Sequence, residues 1–319
     1  MSALYSQIEY ELKRFQASPQ SIETIFIGGG TPSTVSPALY EPIFKLLSPY
    51  LQQDIEITSE ANPNSATYEW LEGMYTLGVN RISFGVQSFN KEKLKVLNRA
   101  HTSEQAKEAL LNAEKIGYKN LSLDLIYATL GDNKELLLHD IKTAFSLPIN
   151  HLSAYALTIE EGTVFESKPQ MSEERLALTT WLFQEIREQG MEQYEISNFG
   201  SYQSAHNLGY WLYKDYIGAG SGAVGKLGSE RFYPTISIEE YIENPLRIRV
   251  EGLDADDQRL EKIFLGLRSN VGISQNTLNK EELKQAELLV REEKLHFKNA
   301  TFYNEEFLLA DEIALFLTS

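Results

Sequence analysis

Glycines and polar side chains that suit ligand binding follow short apolar runs of the sequence. The run Thr24–Ile27 leads directly into Gly28, Gly29, Gly30 and Thr31. Glycines allow a ligand to approach the main chain closely and expose backbone N–H groups. The turn has neither the lysine of a P-loop nor the GxGxxG spacing, so it does not predict a nucleotide-phosphate site. By spacing alone, a plain tight turn explains these glycines as well as a ligand site does.

Charged and amide side chains recur at the ends of later apolar runs. Glu60 and Gln87 each close such a run, where a carboxylate or an amide could meet a ligand. Asp124 lies inside an apolar run, and burying an acid there is costly unless it is paired or contacts a ligand. Arg99 could hold a ligand carboxylate with its planar guanidinium. Taken alone, Glu60 and Arg99 are better explained as a solvated acid beside a proline turn and a surface arginine at a helix end.

A histidine lies among aromatic residues in the segment His206-Asn207-Leu208-Gly209-Tyr210-Trp211. Imidazole is a common axial ligand of haem iron, so this composition suits a flat, metal-bearing ligand. A loop histidine packed on aromatic neighbours is the alternative interpretation.

Composition limits the classes of function. The chain has 319 residues, 42% of them hydrophobic, and a net charge of −16 from 45 acidic and 29 basic side chains. Such an acidic surface repels nucleic-acid phosphates, so nucleic acid is not an expected partner. The absence of cysteine excludes disulfides, a thiol nucleophile and any iron–sulfur cluster held by thiolates of this chain. The five histidines have no metal-binding spacing, so we expect no intrinsic metal site.

The apolar runs alternate with amphipathic stretches, which predicts parallel βα units. No apolar run reaches the ~20 residues that span a bilayer, and the N-terminus lacks the layout of a signal peptide. We therefore expect a cytoplasmic protein. The predicted strands are 24–27, 54–58, 81–86, 121–127 and 151–157, and the predicted helices are 5–16, 37–50, 67–77, 90–97, 103–116, 134–146 and 172–188.

The pattern changes after Gly190. Residues 198–235 are rich in Gly, Ser, Tyr and Asn, which predicts irregular loops. Residues 236–319 are mainly helical, with a short hairpin expected at 295–309. We therefore expect a βα domain over 1–200, a connecting segment over 201–235 and a small, winged-helix-like C-terminal domain over 236–319.

Taken together, the motifs resemble HemW, the haem-chaperone relatives of oxygen-independent coproporphyrinogen III oxidase (HemN) in the radical S-adenosylmethionine (SAM) superfamily. The resemblance runs from Thr24 to the C-terminus, and seven motifs in order make it specific. They are TIFIGGGTPS (24–33), EANP (60–63), GVNRISFGVQSF (78–89), NLSLDLIYA (120–128), HLSAYALTIE (151–160), HNLGYW (206–211) and GLRSNVGIS (266–274).

This resemblance implies an α/β fold, a partial (βα)6 barrel of the TIM type that lacks its first strand, with a C-terminal accessory domain. It implies that SAM lies across the barrel mouth, and that HNxxYW is the haem-associated signature of the HemW branch. The residues that match SAM contacts are Gly29, Gly30, Thr31, Glu60, Gln87, Arg99 and Asp124, and those that match the haem signature are His206, Asn207, Tyr210 and Trp211.

Three departures separate this chain from the family pattern. The CxxxCxxC loop that holds a [4Fe–4S] cluster is absent, which we interpret as an N-terminus shortened by a few tens of residues. Tyr127-Ala128-Thr129-Leu130 stands where relatives usually have YGLP, which alters a turn. Gly222-Ala223-Val224-Gly225 stands where many relatives have GAHG, which removes a histidine from the mouth.

The resemblance favours a haem chaperone that binds haem and SAM and delivers haem to haem proteins, including membrane-bound recipients. Such a protein would be cytoplasmic or peripheral at the membrane. The alternative within the family is an oxygen-independent coproporphyrinogen III oxidase of porphyrin biosynthesis, which the missing cysteines oppose. A second alternative is a folded but inactive remnant.

Overall fold

The computed structural model describes residues 1–159, 165–173 and 175–319. Glu160, the last residue of one family motif, and Glu174, within the helix predicted over 172–188, lie outside these ranges. The described helices are α1 (Ser2–Arg14), α2 (Glu41–Leu47), α3 (Tyr68–Thr76), α4 (Lys91–Val96), α5 (Ser103–Ile116), α6 (Lys134–Phe145), α7 (Leu176–Glu188), α8 (Ala205–Trp211), α9 (Ile238–Glu243), α10 (Ala255–Leu267), α11 (Lys280–Arg291) and α12 (Ala310–Thr318). The described strands are β1 (Ile22–Ile27), β2 (Leu51–Ala61), β3 (Arg81–Gln87), β4 (Asn120–Tyr127), β5 (His151–Ala156), β6 (Glu192–Gln193), β7 (Asn198–Gly200), β8 (Gly225–Leu227), β9 (Glu230–Pro234), β10 (Ile248–Gly252), β11 (Ile273–Ser274), β12 (His296–Lys298) and β13 (Thr301–Tyr303).

The chain forms two compact units. Unit 1 comprises residues 1–24, 39–55 and 204–319, and unit 2 comprises residues 25–38 and 56–203. The boundaries expected at residues 200 and 235 stay a prediction.

A seven-stranded sheet carries unit 2, in the order β1-β2-β3-β4-β5-β7-β6. Strands β2 to β5 pair in parallel, whereas β7 is antiparallel to β5 and β6 is antiparallel to β7. The five predicted strands are therefore confirmed, and the fold is mixed α/β with a parallel sheet.

Alternation along the strands separates an apolar face of this sheet from a polar one. Leu121, Leu123 and Leu125 of β4 are buried on the face that packs against α5 and α6. Ser122 and Asp124 point to the opposite face, because successive strand residues alternate sides. The candidate acid Asp124 therefore lies on the polar face of the sheet.

Local end signals explain most helix boundaries. Thr67 caps α3 through a hydrogen bond from Trp70 N to Thr67 Oγ1 (3.2 Å), and Gly117 ends α5 with φ +119°, both as the sequence predicts. The helix predicted over 37–50 is shorter, because α2 is confined to Glu41–Leu47 with a 3₁₀ turn on either side. Pro42 and Pro49 account for this, since proline is tolerated in the first turn but cannot donate a hydrogen bond further along.

The irregular structure predicted over 198–235 is wrong in part. The segment contains β7, α8, β8 and β9. Ser204 begins α8 by accepting a hydrogen bond from Asn207 N (3.3 Å), so the HNxxYW residues lie on a short helix.

Helices dominate the C-terminal part of unit 1, as predicted. Ile263, Leu267, Ile313 and Leu317 contribute to the buried core that joins α10, α11 and α12. The predicted hairpin is confirmed as β12 and β13, which pair antiparallel beside β11. Within the residues described above, no helix combines the length and the apolar character needed to cross a bilayer.

Candidate functional site

The glycine turn after β1 lies directly against Glu60. A Cβ built on Gly28 would lie 2.8 Å from Glu60 Cδ and 2.9 Å from Glu60 Oε2, and the backbone N–H of Gly29 donates to the Glu60 carboxylate. Cβ atoms built on Gly29 and Gly30 would meet nothing within 4 Å. The turn therefore contacts Glu60 on one side and leaves open space beside the next two glycines.

Three candidate residues form a group of interacting charges, in which Glu60 and Asp124 are half-buried and Arg99 is exposed. Burial raises the pKa of Glu60, the nearby charge of Asp124 raises it further, and the Gly29 N–H opposes the shift. Burial lowers the pKa of Arg99, and the charge of Asp124 opposes that shift. Asp124 is therefore close enough to influence both groups, and the charge of Arg99 partly compensates that of Asp124.

Asp124 itself depends on hydrogen-bond donors. Burial raises its pKa, and hydrogen bonds from Ser153 and Ser83 together with the charges of Arg81 and Arg99 oppose this. The Ser83 hydroxyl donates to Asp124 Oδ1 over 3.3 Å. This carboxylate is thus held in place on the polar face.

Gln87 lies at an irregularity of β3. The register shifts by one residue between Phe84 and Gln87, and Gln87 has φ +67°. A Cβ built on Gly85 would lie 3.1 Å from Gln87 Nε2 and 3.7 Å from Asn62 Oδ1. Bulges of this kind redirect a side chain at a strand end. The structure places Gln87 and Thr31 near strand ends, but no described contact joins either of them to the Glu60–Arg99–Asp124 group.

His101 is a functional candidate that the sequence analysis did not single out. Its Nε2 lies 2.8 Å from the carbonyl oxygen of Val86, one residue before Gln87. Burial lowers its pKa, the hydrogen bond to Val86 opposes this, and the charge of Arg99 lowers it further. The one feature of the sequence that could have indicated His101 is its position two residues after Arg99, and none of the seven family motifs includes it.

A row of aromatic rings runs along the HNxxYW helix in unit 1. The rings of His206 and Tyr210 pack edge to face with centroids 4.9 Å apart, because residues i and i+4 share a helix face. Tyr210 packs in the same way on Tyr216, at 4.7 Å. His206 is half-buried and Tyr210 is exposed, so the row reaches the surface of the unit.

A hydroxyl group fixes the orientation of the His206 ring. Thr24 Oγ1 lies 2.9 Å from His206 Nδ1, although 182 positions separate the two residues. The sequence analysis missed Thr24, because no local pattern connects residues so far apart.

Asn207 and Trp211 lie on the neighbouring face of α8. Asn207 contributes its backbone N–H to the cap of the helix. The indole Nε1 of Trp211 is buried without a hydrogen-bond partner among the described residues. The structure therefore joins His206 and Tyr210 in one ring row, and it does not bring Asn207 or Trp211 into that row.

The described residues contain no ligand set for a metal ion. The sequence contains no cysteine. Across residues 1–159, 165–173 and 175–319, no group of three or more histidine or carboxylate side chains could hold a metal ion.

Comparison with known proteins first defines the class. The radical SAM superfamily model matches residues 4–144. The fold overlaps that of coproporphyrinogen III oxidase (HemN) from Escherichia coli, a radical SAM enzyme, with a TM-score of 0.80 over 99% of this chain and 82% of that chain. At 20% sequence identity this likeness shows the fold alone. The chain thus has the α/β fold of a radical SAM protein.

Curated relatives then define the family. "Heme chaperone HemW" of Lactococcus lactis is 34% identical over 281 residues, which are 83% of this chain and 74% of the relative. The protein of that name from Bacillus subtilis is 34% identical over 79% of this chain and 71% of its own, and the Escherichia coli protein is 41% identical over 66% and 58%. The chain belongs to the HemW family. It spans 58–74% of the length of these three relatives.

Proposed function

We propose that this protein is a haem chaperone that binds haem beside His206 in unit 1 and passes it to recipient haem proteins, membrane-bound ones among them. The observation that carries the proposal is the ring row of His206, Tyr210 and Tyr216, with the His206 ring fixed by Thr24. The relatives named for haem chaperoning support the same function.

The ring row suits haem as cargo for two reasons. A neutral imidazole is a common ligand of haem iron, and a partner on one ring nitrogen fixes the nitrogen that meets the metal. With Nδ1 of His206 engaged by Thr24, iron ligation would use Nε2. Exposed aromatic edges such as that of Tyr210 offer apolar area to a flat macrocycle.

The residues of unit 2 fit SAM as a bound ligand. The open space beside Gly29 and Gly30 admits a ligand close to the main chain. The carboxylates of Glu60 and Asp124 lie near each other, with Arg81 and Arg99 near Asp124, so the group offers both acidic and basic contacts to a ligand that carries both charges. Glu60 would hold the ammonium group, Arg99 the carboxylate, and Asp124 a hydroxyl-bearing part of the ligand, with Gln87 and Thr31 at the same strand ends. When bound, SAM supplies an activated sulfonium centre.

The residues of this chain do not fit the [4Fe–4S] cluster that the radical SAM superfamily implies. Such a cluster is held by cysteine thiolates, and the chain has none. No part of the proposed function uses a cluster, and we propose haem binding rather than the oxidation of coproporphyrinogen, which depends on one.

Haem titration of the purified chain tests the proposed function. We expect a Soret band with the wild-type chain and its loss, or a shift to that of free haem, in His206→Ala. His296→Ala is the matched control, because His296 is an exposed histidine of the same unit. Haem uptake that is equal in both variants contradicts the assignment of His206, and no uptake by the wild-type chain contradicts the function.

A further inference from the structure

The end of β3 contains a tight turn centred on Gln87. The backbone N–H of Ser88 donates to the carbonyl oxygen of Val86 over 2.8 Å, and Gln87 between them has φ +67°. A hydrogen bond between residues i and i+2 around a positive φ defines the rarer and strained form of the γ-turn. A residue with a side chain keeps such a conformation only where its surroundings enforce it, and strain of this kind clusters at ligand sites.

The turn coincides with a bulge in the parallel sheet. Phe84 pairs with Leu123 of β4 and Gln87 pairs with Leu125, so three steps along β3 correspond to two steps along β4. Leu123 and Leu125 are buried on the face that packs against the helices. At this register an ordinary strand conformation would direct the Gln87 side chain to that apolar face, because side chains alternate between the two faces along a strand. The left-handed conformation of Gln87 gives its side chain another direction.

The amide of Gln87 faces the segment that follows Glu60. A Cβ built on Gly85 would lie 3.1 Å from Gln87 Nε2 and 3.7 Å from Asn62 Oδ1. Asn62 comes directly after β2, two residues beyond Glu60, and its backbone N–H donates to Ser33 Oγ over 3.0 Å. Ser33 belongs to the segment that follows the glycine turn. The Gln87 amide therefore lies at the strand ends where we propose that the ligand binds.

His101 holds the residue before Gln87. Its Nε2 lies 2.8 Å from the carbonyl oxygen of Val86, and its side chain is buried, with the residue 4% exposed. A carbonyl oxygen only accepts hydrogen bonds, so Nε2 of His101 carries the hydrogen and donates it. The same oxygen accepts from the Ser88 N–H, so both of its lone pairs are used. His101 thereby fixes the peptide plane that precedes Gln87.

Asp140 of α6 holds the residues after Gln87. The Ser88 hydroxyl donates to Asp140 Oδ2 and the Phe89 backbone N–H donates to Asp140 Oδ1, each over 2.7 Å. The Ser88 oxygen in turn accepts from the backbone N–H of Asn90 over 3.0 Å. Asp140 and Ser88 are both buried, where hydrogen bonds are stronger than in water. Asp140 therefore fixes two successive residues on the far side of the turn from His101.

We propose that His101 and Asp140 are positioning residues that hold Gln87 in its left-handed conformation from both sides of the turn, and so direct the Gln87 amide to the ligand of unit 2. Without them, the turn would have to adopt its strained conformation at the moment of binding, and that cost would reduce the affinity. The inference rests on the proposed role of Gln87 in binding SAM. It assigns a task to two buried polar residues that none of the seven family motifs includes.

A double-mutant cycle on SAM affinity tests the proposal. His101→Leu removes the donor to Val86, whereas His101→Gln keeps an N–H donor on a side chain of similar reach. Each is made in the wild-type chain and in Gln87→Ala, and SAM binding is measured by calorimetry. We expect His101→Leu to weaken binding about 3- to 10-fold, as the loss of one hydrogen bond would, and His101→Gln to weaken it less than about 2-fold. In Gln87→Ala, His101→Leu should have less than about a 2-fold effect.

Asp140 is tested by a matched pair of variants. Asp140→Leu removes both acceptors and should weaken SAM binding at least as much as His101→Leu does. Asp140→Asn can keep both hydrogen bonds, because the Ser88 hydroxyl can accept where it donated, so its affinity should stay within about 2-fold of the wild-type value. His139→Leu replaces an exposed histidine of α6 and should leave the affinity unchanged. If Asp140→Leu does not fold, the His101 pair decides the test.

A second readout does not need the ligand. The side-chain amide of Gln87 can be observed by NMR of protein with labelled glutamine, with Gln87→Ala as the assignment. In the wild-type chain we expect cross-relaxation between this amide and the Hα of Gly85, because the amide nitrogen lies in contact range of a Cβ at that position. His101→Leu should abolish the signal, and His101→Gln should retain it. A purely structural role of His101 would lower the stability without changing this contact.

The two readouts distinguish the failure of each hypothesis. If the wild-type chain binds no SAM, the proposed ligand of unit 2 is wrong, and the NMR contact still tests the turn. Equal losses of affinity from His101→Leu in the wild-type and Gln87→Ala backgrounds overturn the positioning role. A contact between the Gln87 amide and Gly85 that persists in His101→Leu and in Asp140→Leu overturns it as well.

Discussion

Gly28 and Glu60 are packed so closely that a side chain on the first would occupy the space of the second. A Cβ on Gly28 would lie 2.8 Å from Glu60 Cδ and 2.6 Å from the ring of Phe26. The absence of a side chain at this one position therefore lets the Glu60 carboxylate lie against the glycine turn. Gly30, two residues further on, has open space around it.

Replacing Gly28 tests this close packing. We expect Gly28→Ala to lower the free energy of unfolding by about 1–3 kcal/mol, because the methyl group must displace Glu60 or Phe26. Gly30→Ala is the matched change, and it should alter stability by less than about 1 kcal/mol, because its methyl group enters open space. Chemical denaturation of both variants provides the comparison. Equal stabilities would show that Glu60 moves aside without cost.

The contact between Thr24 and His206 predicts a change in haem affinity. Thr24→Val keeps the shape of the side chain but removes the hydroxyl that fixes Nδ1 of His206. We expect haem to dissociate about 10-fold faster, because groups that orient a ligating histidine typically contribute at that level. Transfer of haem to apomyoglobin measures the rate. Thr277→Val, elsewhere in unit 1, should dissociate at the wild-type rate, and an unchanged rate in Thr24→Val would contradict the orienting role.

Local patterns in the sequence were sufficient to predict much of unit 2. Alternation between apolar runs and amphipathic stretches predicted strands β1 to β5, and Thr67 and Gly117 marked helix ends because caps act within one turn. The resemblance to the family grouped Glu60, Arg99 and Asp124 as ligand contacts, and the charge of Asp124 does reach both Glu60 and Arg99. Structural features that depend on a few neighbouring residues, such as strands and helix ends, could thus be predicted from the sequence.

The parts that sequence reasoning missed depend on distant pairs. Thr24 and His206 are 182 positions apart, and Ser153 meets Asn198 only because β7 returns antiparallel beside β5. The helix α8 was also missed, because the glycine and aromatic content of its neighbourhood outweighed the cap at Ser204. The pattern of residues within one segment cannot predict such contacts, because they form only when segments distant in the sequence come together in the fold.

The buried carboxyl of Glu195 predicts an unusual dependence of stability on pH. Burial raises its pKa to about 7, with hydrogen bonds from Ser197 and Asn198 opposing the shift. The folded protein therefore holds this proton more tightly than the unfolded chain does. The stability from Glu195 is complete below about pH 4.5, and it is lost as the pH rises through about 7. Over that window the loss is about 3 kcal/mol.

Glu195→Gln removes this titration. We expect its free energy of unfolding to fall less than that of the wild-type chain between pH 5 and pH 8, as measured by urea denaturation at each pH. Glu192→Gln, an exposed position three residues earlier, should follow the wild-type profile. Parallel profiles for the wild-type chain and Glu195→Gln would show that the folded carboxyl titrates as in the unfolded chain.

The backbone conformation of Ala128 predicts that glycine would stabilise the protein at this position, where the chain departs from its family. Ala128 stands where relatives usually have the glycine of YGLP, it is 3% exposed, and its φ is +58°. A side chain in this left-handed conformation costs about 1–2 kcal/mol, and glycine avoids that cost but gains freedom in the unfolded chain. We therefore expect Ala128→Gly to raise the free energy of unfolding by about 0.5–1 kcal/mol. Ala144→Gly, the same change within α6, should lower it by about 1 kcal/mol, because a helix interior disfavours glycine. A loss of stability in Ala128→Gly as large as in Ala144→Gly would mean that the turn after β4 accommodates alanine without strain.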